Sequence, residues 1–172
     1  AEDDPPRIQV EMATLLAGIY YDMGDLTSLE RALRELTEAS RRLTAAGDPY
    51  GAARLLNDQA AVHIRIGDPV QAAHLLQESR KLFERRAHED RLAARELAET
   101  HHLLARLPLH VAPRPGREAD AVALGREHAQ AADALYRELA DGRERARVWE
   151  TLARLELRGA RPERALSLLK AA

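Results

Sequence analysis

The sequence predicts an all-α protein, more specifically a right-handed α-solenoid of about four antiparallel helix pairs. Apolar residues recur at steps of three and four, as on one face of a helix, and sustained strand-like alternation is absent. Similar breaks at Gly24 and Gly67 imply a repeat of roughly 43 residues. A single helix pair of this length cannot bury its apolar faces, whereas stacked pairs can.

Composition narrows the class of function. The 172 residues include 28 acidic and 26 basic side chains, for a net charge of -2, which argues against a general nucleic-acid or anionic-membrane binder. The hydrophobic content of 45% argues against disorder, and the absence of cysteine excludes disulfides and thiolate metal sites. Lys81 and Lys170 are the only lysines, so all other basic residues are arginine. This preference for arginine over lysine is typical of GC-rich bacterial genomes.

No segment of the sequence predicts a membrane protein. The longest apolar stretch, about residues 12–21, is too short to span a bilayer, and no basic leader precedes it. We therefore expect a cytoplasmic location. Residues 1–7 are interpreted as a linker or as a cut within a longer protein.

The first repeat, residues 8–47, begins with an amphipathic helix that Gly24 ends. Thr27 to Glu30 is interpreted as a capping box that starts the second helix. Gly47 and Pro49 then mark the next break, with glycine after one helix and proline at the start of another. The apolar face of the first helix is predicted to comprise Ile8, Met12, Leu15, Leu16, Ile19 and Met23.

The second repeat, residues 48–88, shows the same order. Its first helix ends at Gly67, Asp68 is a natural N-cap, and Pro69 occupies the first position of the following helix.

The last two repeats are less regular. Residues 89–141 form an irregular third repeat with a loop at 108–117, because Pro108, Pro113 and Pro115 disfavour helix there. Residues 142–172 form a fourth repeat, interpreted as truncated, which turns at Gly159. The whole chain, 1–172, is predicted to be a single domain.

The repeats resemble the tetratricopeptide (TPR) family, in which large, small and aromatic residues recur at fixed offsets. The last repeat shows this pattern as Trp149-x2-Leu152-Ala153, followed by Ala165-x3-Leu169. Leu56-x2-Gln59-Ala60 and Ala13-x2-Leu16-Ala17 are similar in the earlier repeats, whereas the third matches only at Leu97-Ala98. The small residues Ala17, Ala60, Ala98 and Ala153 would let paired helices approach closely, and Trp149 would pack within the last pair. The long period is similar to that of TPR arrays in kinesin light chains and bacterial regulators.

The resemblance implies a concave groove, lined by the first helix of each pair, that takes a peptide or a partner helix. Asn57 resembles a family residue that hydrogen-bonds the backbone of a bound peptide, since an amide donates and accepts at once. The arginines of the groove would clamp a carboxylate or an acidic segment. The groove positions are Glu11, Thr14, Gly18 and Tyr21; Arg54, Asn57, Ala61 and Arg65; Arg95, Glu99 and His102; Arg147, Glu150, Arg154 and Arg158.

Catalytic and metal sites are not predicted. His101 and His102 are adjacent on a helix and point about a hundred degrees apart, which does not suit one ion. The sequence has no phosphate-binding loop and no nucleophile elbow. We therefore expect no enzymatic activity, no metal and no cofactor.

The leading interpretation is an interaction module of a larger bacterial regulatory or signalling protein, with a protein or peptide as partner. One alternative is self-association, with a homodimer through the C-terminal end, where Leu166, Leu168 and Leu169 lie on more than one side of a short helix. Another is a ligand-sensing regulator in which the solenoid changes curvature.

Overall fold

The structure is a computed structural model that describes residues 6–111 and 116–171. Over these ranges it consists of eight α-helices and contains no strand, which confirms the predicted all-α class. The sequence predictions for residues 1–5, and for Pro113 and Pro115, lie outside the described residues. The helices are α1 (Pro6–Met23), α2 (Leu26–Ala45), α3 (Pro49–Ile66), α4 (Pro69–Glu84), α5 (Arg91–His110), α6 (Glu118–Glu138), α7 (Gly142–Arg158) and α8 (Pro162–Ala171).

The chain divides into two compact units. The first, Ala1–Leu82, has a core in which α1 packs against α2 and α2 against α3. The second, Phe83–Ala172, has its own core, in which α6 packs against α5 and α7, and α8 packs against α7. That core comprises Ala98, Ala105, Ala129, Ala132, Tyr136, Val148 and Leu152.

Small residues lie where the sequence predicts close helix contacts. Ala17, Ala60, Ala98 and Ala153 are all buried, with no more than 3% of their surface exposed. An alanine at these points lets the helix backbones approach, because no longer side chain separates them.

Aspartates start most of the helices. The carboxylates of Asp48, Asp68, Asp90 and Asp141 accept backbone N–H groups two or three residues further on. These contacts satisfy donors that the first turn leaves without partners. The predicted cap at Asp68, followed by proline, is confirmed. Asp48 caps α3 in the same way before Pro49.

The predicted capping box at Thr27 is wrong, because α2 begins earlier. Asp25 is the N-cap, with extended backbone angles, and its carboxylate accepts the Ser28 N–H at 3.0 Å. The Ser28 hydroxyl also donates to Asp25. An ionised carboxylate is the stronger acceptor for the first-turn N–H groups.

The loop predicted to begin at Pro108 begins later, since α5 continues to His110. Proline removes a single backbone donor near the end of this helix, where few further bonds are lost. Gly125 of α6 provides the space: a Cβ there would lie 3.1 Å from the Pro108 ring and 3.2 Å from the Ala105 carbonyl oxygen.

The apolar face predicted for α1 is largely not the face that packs. The buried residues of this helix are Val10 and Ala17, with Ala13 and the two tyrosines partly covered. The predicted residues Ile8, Met12, Leu15, Leu16, Ile19 and Met23 are all exposed. Helical spacing identifies an apolar face but does not say what covers it. Within the described ranges, none of the helices combines the length and the apolar content that crossing a membrane requires.

Candidate functional site

In the first unit, two of the predicted groove residues meet, because Arg65 of α3 contacts Tyr21 of α1. The Arg65 guanidinium lies 4.6 Å from the centre of the Tyr21 ring, within range of a cation–π contact. A Cβ on Gly24 would lie 2.5 Å from Arg65 Nη2, so glycine also leaves room for this arginine. Arg54 is exposed, whereas Ala61 is half-buried.

The other predicted positions of α1 differ in how available they are to a partner. The Thr14 hydroxyl donates to the Val10 carbonyl at 2.9 Å within its own helix. Glu11 and Gly18 are exposed.

Asn57 is not on an accessible surface, contrary to the role that the resemblance implies. Only 3% of its surface is exposed, and it lies among buried residues of α3. Its amide therefore has to be satisfied by the protein itself, because a buried polar group without a partner is costly. Asn57→Ala would thus perturb stability as well as any binding.

In the second unit, the predicted residues of α5 and α7 form a connected polar cluster. His102 is 2% exposed, and its Nε2 lies 2.9 Å from the Thr151 hydroxyl of α7. Its Nδ1 lies 3.9 Å from Glu99 Oε2, too far for an ordinary hydrogen bond. His102 is therefore a buried member of the cluster that links α5 to α7, and it is not accessible to a partner.

Glu99 connects this cluster to α6, because its carboxylate accepts the Tyr136 hydroxyl at 2.9 Å. Burial alone would raise the pKa of Glu99, but the interactions with His102 and Tyr136 and the positive charge of Arg147 hold that pKa below its ordinary value. Burial and the adjacent Glu99 carboxylate raise the pKa of Tyr136. At neutral pH, Glu99 is therefore an ionised carboxylate that accepts a hydrogen bond from the neutral phenol of Tyr136.

The predicted arginines of α7 lie on one helical face beside this cluster. Arg147 and Arg154 expose 50% and 64% of their side chains, and each pairs with a glutamate on its own helix. Arg147 contacts Glu144 at 2.6 Å, and Arg154 contacts Glu150 at 2.7 Å. Arg158 donates to the Val111 carbonyl at 2.8 Å.

Two arginines lie near His110 in the second unit. Burial lowers the pKa of His110, and the nearby charges of Arg106 and Arg154 lower it further. Arg95 is exposed on α5 and lies 3.8 Å from Asp141. Arg95 and Arg154 therefore each have an acidic neighbour already.

Trp149 contacts α6, whereas the sequence predicts packing within the last helix pair. Its indole N–H donates to Asp133 Oδ1 at 2.9 Å, and the Arg145 guanidinium lies 4.9 Å from the ring centre. The side chain is half-buried at the edge of the second core. Asp133, which also binds Arg145 at 2.9 Å, was not predicted from the sequence, because nothing in its spacing distinguishes this carboxylate from the others.

Two histidines of the second unit contact each other. His101 Nδ1 lies 3.0 Å from His128 Nδ1, so one nitrogen donates and the other accepts. His101 thus contacts α6, whereas His102 contacts Thr151 of α7. Among the described residues, no cluster of three or more histidines and carboxylates is arranged to hold a metal ion.

No protein-family model matches this chain, and no curated protein matches it either.

Proposed function

We propose that the chain is a protein-interaction scaffold, a TPR-like α-solenoid that binds an acidic peptide or partner helix. The arrangement of the helices supports the proposal. Breaks with left-handed glycines at Gly24, Gly47 and Gly67 separate helices of similar length, as in arrays of helical repeats.

The observation that carries the proposal is the arginine-bearing face of α7 in the second unit. Arg147 and Arg154 project from this face beside the buried support that His102 and Glu99 provide. His102 and Thr151 join α5 to α7 through a buried contact, so the arginines project from a helix that is packed against its neighbours. A guanidinium binds a carboxylate through two parallel hydrogen bonds, which suits an acidic segment.

The existing ion pairs set the strength of such binding. Glu144 and Glu150 already hold Arg147 and Arg154, so an incoming carboxylate has to replace or share these partners. Exposed pairs of this kind contribute at most about 1 kcal/mol each. We therefore expect modest affinity that weakens as salt concentration rises.

A set of fluorescent synthetic peptides, matched in length and ranging from neutral to strongly acidic, tests the proposal by anisotropy. The intact chain should bind the acidic peptides, and Arg147→Glu with Arg154→Glu should weaken binding by about tenfold or more. Arg41→Glu is the matched control, because Arg41 of α2 is 77% exposed and also pairs with a glutamate of its own helix. It should leave the affinity within about twofold of the original.

Two results would argue against the proposal. One is equal affinity for acidic and neutral peptides. The other is a double variant that binds as tightly as the unchanged chain while keeping its helical content.

A further inference from the structure

An apolar stripe on α1 is exposed along the whole helix. The α1 stripe comprises Ile8, Met12, Leu15, Leu16, Ile19 and Met23, which expose between 41% and 70% of their surfaces. Leu26, at the start of α2, continues it and is 58% exposed. With about 200 Å² for each fully exposed side chain, the stripe presents about 650 Å², above the largest patch of most monomers.

The positions of the stripe are symmetric about a single point. They pair as 8 with 23, 12 with 19 and 15 with 16, so each pair is centred between Leu15 and Leu16. A helix that meets an antiparallel copy of itself at this centre places Ile8 against the partner's Met23 and Met12 against the partner's Ile19. An interface with twofold symmetry requires this kind of self-complementary surface.

We propose that the chain forms a twofold-symmetric dimer in which the α1 stripe packs antiparallel against the α1 stripe of a second copy. The area is sufficient, because complete coverage of both stripes would bury about 1,300 Å², within the range of about 1,200–2,000 Å² for stable interfaces. Leu15, the most exposed residue at 70%, lies at the centre along the helix axis, so the two copies of Leu15 meet near the twofold axis.

The edges of the stripe indicate a reversible dimer. Glu11 and Asp22 are exposed on the same side of α1, about 70 to 90 degrees from the centre of the stripe at a hundred degrees per residue. Since like edges meet in an antiparallel twofold pair, Asp22 lies near the partner's Glu11. Their repulsion is screened by salt, so the dimer should tighten as salt concentration rises.

Sedimentation velocity over a range of protein concentrations, with the intact chain, is the first test. We expect a monomer–dimer equilibrium that Leu15→Glu weakens by about a hundredfold or more, since each copy would bring a charge to the centre of the interface. Val70→Glu is the matched control, because Val70 is 79% exposed on α4. Leu169→Glu, at the C-terminal end, should also leave the dimer intact. Circular dichroism verifies that each variant remains helical.

Cysteine cross-linking tests the register, because the chain has no native cysteine. A mixture of Ile8→Cys and Met23→Cys copies should form a mixed disulfide under mild oxidation. Ile8→Cys alone should not, because in the antiparallel pair the two copies of position 8 lie about 22 Å apart along the axis.

Asp22→Arg supplies a gain-of-function test. It replaces the like-charge contact with an attraction to the partner's Glu11, so the dissociation constant should fall by about threefold to tenfold at low salt.

The proposal is overturned if the chain remains a monomer at all concentrations, or if Leu15→Glu dimerises as well as Val70→Glu does. Self-linking of Ile8→Cys without mixed linking would overturn the antiparallel arrangement. If Leu169→Glu abolished the dimer and Leu15→Glu did not, the contact would lie at the C-terminal end instead.

Discussion

At the scale of single residues, the second unit depends on a buried histidine with few partners. His102 has one short contact, from Nε2 to the Thr151 hydroxyl, while Nδ1 is buried without a hydrogen bond. Thr151 also donates to the Arg147 carbonyl at 3.2 Å, within its own helix. The Thr151 hydroxyl therefore joins α5 to α7 at a point where the surroundings exclude water.

Replacing Thr151 with valine should destabilise the chain by about 1–3 kcal/mol, because both ring nitrogens of His102 are then buried without a hydrogen bond. Valine has nearly the shape of threonine, so the loss reports the hydroxyl and not a cavity. The measurement is the free energy of unfolding in urea. Thr44→Val is the control, since Thr44 is exposed and its hydroxyl donates to the Ser40 carbonyl of its own helix. Equal losses of unfolding free energy in the two variants would contradict the role of His102.

The sequence predicts which residues form helices better than it predicts which side chains are accessible. His102 and Asn57 were predicted to lie on the same helical faces as exposed arginines, yet both are buried. Their accessibility depends on which neighbour covers that part of the helix, and a polar residue can be buried wherever another side chain satisfies it. Trp149 similarly packs where Asp133 can accept its N–H, a requirement that spacing does not reveal.

At the scale of helices, glycine has opposite roles in α1 and α6. A Cβ at Gly18 would meet nothing within 4 Å, whereas one at Gly125 would lie 3.0 Å from the Leu155 side chain and 3.1 Å from the Pro108 ring. Glycine weakens a helix unless the space it leaves is used. Gly125 therefore marks a close approach between helices, and Gly18 does not.

Alanine at the two positions should change stability in opposite directions. Gly18→Ala should stabilise the chain by about 0.5–1 kcal/mol through a lower conformational entropy of the unfolded state. Gly125→Ala should destabilise it by about 1–3 kcal/mol, because α6 has to move away from α5 and α7. Thermal unfolding at concentrations where the chain is monomeric checks both. Stabilisation by both alanines would show that the close packing at Gly125 has no consequence.

Helix boundaries were predictable where the signal was local. The helix start at Pro49 and the cap at Asp68 before Pro69 are confirmed, because a helix start depends on the residues of its first turn. The end of α5 was not predictable in this way, since the Pro108 ring packs where Gly125, from a distant part of the sequence, leaves space for it.

At the scale of the whole molecule, buried titratable groups link stability to pH in both units. Burial lowers the pKa of His63 from its ordinary value of 6.5, although the attraction of Asp68, 3.6 Å away, partly opposes this. In the second unit the pKa of Glu99 lies below its ordinary value of 4.5. In each case the unfolded chain takes up a proton at a higher pH than the folded chain does.

Stability should therefore fall in two stages as the pH decreases. The first stage begins near pH 6.5, where His63 and His110 of the unfolded chain become protonated, because the folded chain lowers both pKa values. The second begins near pH 4.5, where Glu99 of the unfolded chain becomes protonated. Urea unfolding at a series of pH values measures both stages. His63→Gln should reduce the first stage and Glu99→Gln the second, whereas a rise in stability on acidification would contradict the assignments.

The order in which the helices pack has a consequence for how quickly the protein folds. In the first unit α1 packs on α2 and α2 on α3, and in the second most contacts likewise join helices that follow one another in the chain. Such contacts close short loops and lose little chain entropy before they form. Refolding of each unit should therefore occur on the order of microseconds to milliseconds, as in other proteins whose contacts are local in sequence.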